Sequence, residues 1–415
     1  MIATEAIVIG GGQAGLAMSR CLAGRGIEHV VLERGRIAER WRSERWDSLR
    51  LLTPNWQTRL PGFSYGGDDP DGYMTMPEVT DFLDRFARSF GAPVVTGVEV
   101  RAVRRCGRGF VVTSEAGKWS APVVVIATGH CDTPLVPGFS TRLPGHLLQI
   151  VPPAYRRPSD LPDAGVLVVG ASASGLQLAD ELQASGRPVT LAVGQHTRLP
   201  RRYLGHDICY WLDAMGLLTE PVENVADAAA SRSQPSLQLV GRPDHATLDL
   251  AALRARGVTV VGRVLGVDGH RWHLADDLVK TTAAADAKLA LLLDRIDRFA
   301  ARHTPGPIRD GRDRFEPLWP AFTEAPRTVD TRAAGIGSIV WATGYRRRYP
   351  WLKVPVLDSR GEIDHRGGET PEPGLFVIGL HFLRRRNSSF LDGVGADAEA
   401  LATRVAAYVR GRQAA

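Results

Sequence analysis

The sequence is short of several things, and each shortage narrows the field. No apolar run approaches the ~18 residues that a membrane-spanning helix needs, so no membrane span is expected. Cysteine is scarce: Cys21, Cys106, Cys131 and Cys209 are widely spaced and form no Cys-x-x-Cys pair, which disfavours a dithiol redox centre. No basic-then-apolar leader precedes the first apolar strand, so the expected setting is cytoplasmic, with reduced thiols. Lysine occurs only at positions 118, 280, 288 and 353, so the formal net charge of +6 is carried by arginine. The planar guanidinium suits bidentate contacts to phosphate. No helix-turn-helix, zinc finger or aromatic-basic platform accompanies that charge, so nucleic acid is not an expected partner, and no metal site is expected.

What is present describes a soluble globular chain. Its 415 residues imply two to three domains, and 44% hydrophobic with 23% charged residues is ordinary for a globular protein. Glycine is abundant, at 44 residues, as expected where backbone must come close to a phosphate.

The glycines are placed in a pattern. Ala6-Ile7-Val8-Ile9 reads as a buried strand that enters Gly10-Gly11-Gly12-Gln13-Ala14-Gly15 and then a helix to Ala23. A second strand, His29-Val30-Val31-Leu32, ends in Glu33 and Arg34, with Glu33 eighteen residues past Gly15. In a dinucleotide fingerprint Gly10 makes the tight turn, Gly12 admits the pyrophosphate, Gly15 permits close helix-strand packing and the acid holds a ribose. The phosphate then sits at a helix N-terminus, where free N–H groups and the dipole favour negative charge.

The same grammar returns at Val166-Leu167-Val168-Val169, Gly170-Ala171-Ser172-Ala173-Ser174-Gly175 and a following helix. Here Ser172 replaces the middle glycine, and Ser174 and Gly175 complete the turn. No acid ends the next strand, which runs on through Gln195, His196, Thr197 and Arg198 to Arg201 and Arg202. A missing carboxylate beside guanidiniums favours NADPH over NADH. Two further strands, Val124 to Gly129 and Ile339 to Gly344, both end in Ala-Thr-Gly, which makes Thr128, Gly129, Thr343 and Gly344 candidates beside the loops. Pro-rich stretches at 134–162 and 305–326 read as linkers. The expectation is an α/β chain of two Rossmann-like domains, 163–329 being inserted into a domain built from 1–155 and 330–415. Leu289, Leu292, Leu293, Ile296, Phe299 and Ala300 share a helical face that reads as core. His130 with Cys131, and the runs Arg346 to Arg348 and Arg384 to Arg386, read as packing and solvated faces. The approach Asn387 to Gly393 into the last helix suits the negative charge of a reduced cofactor.

Two such fingerprints with paired Ala-Thr-Gly strands resemble the two-dinucleotide flavoproteins, in which an NAD(P) domain is inserted into an FAD domain. The stretch Glu39 to Leu51, with Trp41, Trp46 and Asp47, is similar to the tryptophan-bearing segment that lines FAD in class B flavin monooxygenases, the group of YUCCA-type and Baeyer–Villiger enzymes. Gly374 to Leu380 is similar to the strand on the ribityl side of the flavin and adds Gly379. The resemblance implies 1–155 and 330–415 as the FAD domain, 163–329 as the NADP domain, and FAD and NADPH as cofactors. It also implies oxygenation of a small-molecule amine, sulfur or carbonyl substrate by molecular oxygen through a flavin C4a-(hydro)peroxide. The sequence departs from that group in its linker, where Gly145 to Tyr155 lacks the FxGxxxH-type signature and leaves His146 without a role, and at Asn55, which is out of step with the oxygen-site asparagine. A reductase with a non-thiol acceptor and a dinucleotide sensor without turnover stay open as alternatives.

Overall fold

A computed structural model describes residues 1–232, 234–303 and 315–413. Two five-stranded parallel sheets organise the chain. In the first, the strands lie in the order Leu375–Val377, Val123–Ile126, Ala6–Ile9, His29–Leu32 and Val94–Val95. In the second the order is Leu148–Ile150, Ile336–Trp341, Gly165–Val169, Val189–Ala192 and Thr259–Val261. The central strands are runs of small and branched apolar residues that are buried throughout, the pattern of parallel sheets covered on both faces. Helices Gln13–Ala23 and Ala173–Ala184 each cross from a central strand to its neighbour.

The first sheet shares one core with helices Gln13–Ala23, Met76–Ser89 and Val394–Gln413. In the C-terminal helix, Leu401, Val405, Tyr408 and Val409 recur at helical spacing, and Leu401, Val405 and Val409 are buried with Tyr408 partly buried beside them. Helix Leu278–His303 buries Leu289, Leu293, Ile296 and Ala300 in a cluster that also holds Leu199, Tyr203, Ile208, Trp211 and Leu212. Leu292 and Phe299 of the expected stripe stand at its edge, partly buried.

The expected boundaries shift in two places. Strand Ile336–Trp341 follows residue 329 in sequence yet pairs with Gly165–Val169, and Leu148–Ile150, inside the first Pro-rich stretch, is the edge strand of the same sheet. A parallel sheet is ordered by hydrogen bonding rather than by chain order, so the second sheet takes strands from both sides of 163–329. Of the second Pro-rich stretch, 305–314 lies outside the described residues, and Trp319–Phe322 forms a 3-10 turn.

The helix after each glycine loop sits directly on that loop. A Cβ added at Gly175 would stand 1.8 Å from the Gly170 carbonyl oxygen, which is backbone and has no room to give. Gly175→Ala is therefore expected to destabilise the protein by at least about 1–3 kcal/mol through overpacking. Gly138→Ala, where nothing lies within 4 Å, is the control and should leave the denaturation midpoint in place. Equal midpoints for the two variants would show that the helix does not depend on this contact.

Candidate active site

The two glycine loops repeat each other in detail. Gly10 has φ +112° and Gly170 φ +106°, backbone that favours glycine, and a Cβ on either would lie 2.6 or 2.3 Å from the carbonyl oxygen of Ala127 or Ala342. The paired Ala-Thr-Gly strands are thereby explained: each lays an alanine carbonyl against the turn glycine of its own loop. Gly12 and Ser172 cap the following helices at φ −85°, ψ −171° and φ −80°, ψ −172°, and neither helix has a side-chain cap bond. First-turn N–H groups are left for a ligand. Around Gly12 nothing lies within 4 Å of an added Cβ.

A cavity of about 1070 Å³ opens over the first loop, along Gly10, Gly12, Gln13 and Ala14. Glu33 and Arg34, Trp41, Thr128 with Gly129, and Gly379 also line it. The Glu33 carboxylate accepts the Gly11 N–H at 2.6 Å and the Gly35 N–H at 2.9 Å, so its two oxygens are fixed at the end of the second strand. The Trp41 indole N–H donates to Gln13 Oε1 at 3.0 Å, and Gln13 Nε2 donates to the Ser389 carbonyl at 3.4 Å. That chain of bonds ties the tryptophan segment, the glycine loop and the approach to the last helix into one wall. Arg34 pairs with Glu44 at 3.0 Å, and Arg40 bonds the Cys131 carbonyl and Asp132.

The same wall holds groups that the sequence did not single out. His381, two residues past Gly379, lies with its ring 6.2 Å from that of His130. Burial pushes both imidazoles down to about 4, helped at His130 by the Arg347 guanidinium and at His381 by His130 and then Arg347, so both are neutral at pH 7. His381 follows strand Leu375–Val377 at the same offset at which His130 follows the paired strand Val123–Ile126, and that repeat is the signal that points to it. Cys131 and Cys209 line the cavity too. Burial raises the Cys131 thiol and pushes Cys209 up to about 12, which suppresses the thiolate that disulfide chemistry requires.

Several expected site residues stand elsewhere. Gly15 does not line the cavity and serves the close packing expected of it, its Cβ position being 1.8 Å from the Gly10 oxygen. Trp46 is buried in the core of the second sheet with Tyr155 and Leu176, and Asp47 is exposed; neither lines the cavity, because the short helix Glu39–Ser43 ends before them. Gly170, Ser172, Ser174 and Gly175 form the second loop, with Thr343 and Gly344 at the adjoining strand end, all outside that cavity.

Thr197 and Arg198 do line it, but Arg198 is not available to a phosphate. Its Nη2 lies 3.1 Å from Asp249, and its Nη1 bonds Asp286 at 2.8 Å and the Glu316 carbonyl at 3.0 Å, with the side chain 4% exposed. Arg201 is buried against Asp207 and the Leu52 carbonyl, over the Tyr73 ring. A buried guanidinium must be matched by charge and acceptors, and here the protein supplies them to both Nη atoms of Arg198 and of Arg201. The cation beside the strand end is instead Arg263: its Cδ is 3.7 Å from the Cβ position of Gly194, its side chain is 56% exposed, and of its guanidinium only Nε bonds Asp277, at 3.2 Å.

Comparison with known proteins agrees with this geometry. Residues 7–215 match the family model described as pyridine nucleotide-disulphide oxidoreductase. A protein named uncharacterized oxidoreductase CzcO-like, from Geobacillus kaustophilus, is 31% identical over 402 residues, spanning 96% of this chain and 97% of that one. The rice indole-3-pyruvate monooxygenase YUCCA1 (Oryza sativa subsp. japonica) is 29% identical over 399 residues, 90% of this chain and 86% of that one. In fold, the flavin-containing monooxygenase from Stenotrophomonas maltophilia superimposes with a TM-score of 0.68 at 20% identity, covering 98% of this chain and 99% of that one. The chain belongs to the pyridine nucleotide-disulphide oxidoreductase family and is an oxidoreductase. Within that family it is a class B flavin monooxygenase-like protein, of a group whose cofactors are FAD and NADPH.

Because Arg198 answers two buried carboxylates, Arg198→Ala leaves Asp249 and Asp286 without their cation. The expected result is a loss of about 3–5 kcal/mol in stability, read by chemical denaturation. A normal denaturation midpoint with a selective loss of NADPH affinity would instead show the guanidinium to be a cofactor contact.

Proposed function

We propose that the protein is an FAD- and NADPH-dependent monooxygenase of a small organic substrate. The observation that carries this reading is one continuous cavity, which starts at the first glycine loop and runs past Gly379 and the neutral His130–His381 pair to a leucine-lined chamber. The chamber is where a substrate would meet the cofactor's reactive ring. The name of the rice relative, which states monooxygenation of indole-3-pyruvate for that protein, is consistent with this chemistry.

The residues fit FAD. Open space at Gly12 and the uncapped first turn of helix Gln13–Ala23 suit the pyrophosphate, and Glu33, held by two N–H groups, suits a ribose hydroxyl. When bound, the flavin supplies hydride acceptance and oxygen activation. The chain positions it and keeps the site dry. Trp41, held by Gln13, forms one wall, and the uncharged imidazoles together with the leucines keep mobile protons and water away from the reacting atoms. For the nicotinamide cofactor, the second loop offers the same uncapped helix at Ser172, and we assign the 2′-phosphate contact to Arg263 in place of Arg198 and Arg201.

The reading is tested by loading the protein with FAD, supplying NADPH and a thioether, and measuring incorporation of isotopically heavy O₂ into the sulfoxide by mass spectrometry. Labelled sulfoxide with matching NADPH loss is expected. Rapid reduction of a quinone without labelled product would favour the reductase, and neither reaction would favour the sensor. Failure to hold flavin after reconstitution would overturn all three.

Arg263→Ala should weaken NADPH by roughly tenfold, the worth of a hydrogen bond to a charged group, and change NADH little. Binding is read by titrating each nucleotide against the FAD-loaded protein. Equal weakening of both nucleotides would show that Arg263 does not contact the 2′-phosphate.

A further inference from the structure

Past the flavin-side wall, Leu212, Leu217, Leu218, Leu239, Leu289 and Leu292 line the chamber. One wall is helix Leu278–His303. Its core stripe, Leu289, Leu293, Ile296 and Ala300, is buried in the hydrophobic cluster with Leu199, Tyr203 and Trp211, and the adjacent stripe Lys288, Leu292 and Arg295 lines the cavity. Positions four and seven apart share a helix face, and seven residues of helix put the two cations about 10 Å apart along the axis, with Leu292 between them.

These two cations are unbalanced. Among the described residues neither Lys288 nor Arg295 has a hydrogen bond or an ion pair. The carboxylates nearby are already taken: Glu220, which also lines the cavity, pairs with Arg386 at 2.7 Å, and Asp286, on the same helix as Lys288, pairs with Arg198 at 2.8 Å. The chamber thus presents leucine surface with two unanswered positive charges on one helix face. A protonated amine with an apolar body gains the leucine contact but is repelled by the two cations, and a neutral molecule gains from the leucines alone. A molecule with an apolar body and an acid group gains from both, since leucine contact is non-directional and the two solvent-exposed cations add a modest, salt-screened attraction for its carboxylate.

We propose that the chamber takes an apolar organic acid, its body among the leucines and its carboxylate drawn to Lys288 and Arg295, so that the opposite end is left toward Gly379 and the flavin. This substrate class rests on the monooxygenase reading above, which it makes more specific. The acid group is a recognition handle at the far end of the molecule and takes no part in oxygen transfer.

The test compares three ligands with the same ten-carbon chain, decanoate, decanamide and decylammonium, by isothermal titration calorimetry on the FAD-loaded protein at low salt. Decanoate is expected to bind roughly tenfold tighter than decanamide, from two partly exposed charges worth a few-fold each, with decylammonium the weakest. In the Lys288→Gln, Arg295→Gln double variant the advantage of decanoate should vanish while decanamide binds as before, which shows the chamber intact. Added salt should erode the same advantage in the unaltered protein. Equal binding of decanoate and decanamide, tightest binding of decylammonium, no binding of any of the three, or an acid preference that survives the double variant would each overturn the proposal. FAD content and NADPH oxidation without added ligand are measured on the same preparation. A protein that holds flavin and oxidises NADPH but shows no acid preference refutes this inference alone, whereas loss of flavin refutes the monooxygenase reading.

Discussion

Everything in the molecule depends on two close backbone approaches made twice. In each half a glycine carbonyl is met by the missing Cβ of a second glycine five residues on, at 1.8 Å from where that Cβ would stand. The same turn glycine is met from the other side by an alanine carbonyl of a neighbouring strand. Helix, loop and two strands are thereby locked at distances that only glycine permits. The lock aims the uncapped helix end outward over the strand termini, where a nucleotide phosphate belongs.

Against that repeated frame the two sites are built differently. The first has an acid at the end of its second strand, oriented by two backbone N–H groups, and a wall tied by Trp41, Gln13 and Ser389. Beside the end of the corresponding strand in the second half stands Arg263, half held by Asp277 and otherwise open. Charge is sorted by burial: guanidiniums that lie inside, Arg198 and Arg201, are answered by carboxylates of their own, while those toward solvent keep donors to spare. Desolvation decides this, since a buried cation without a partner costs far more than an exposed one.

The cavity between these frames is lined by leucines, by imidazoles and thiols, and by charged side chains. Imidazoles and thiols along it are held in their neutral forms by burial, so the walls bring few mobile protons to the place where a reduced cofactor would meet oxygen. Helix Leu278–His303 closes the chamber with one stripe in the core and a second facing the cavity. A single amphipathic element therefore both stabilises the fold and gives the chamber its charge.

The sequence by itself determined the features that depend on neighbours along the chain. Glycine spacing, the apolar strand before each loop, the acid after the first and its lack after the second are local, and a local pattern sets backbone conformation directly. So do the helical stripes of 289 to 300 and 401 to 409. Tertiary structure decided what depends on residues far apart: that Ile336–Trp341 and Leu148–Ile150 join the second sheet, that Trp46 packs into its core, and that Asp47 faces solvent. It also decided which arginines were free, because Arg198 meets Asp249 and Asp286 only when segments 51 and 88 residues away fold onto it. A guanidinium reads the same in any sequence. Whether it is spent on the protein or left for a ligand is fixed by burial and by the carboxylates that folding brings beside it.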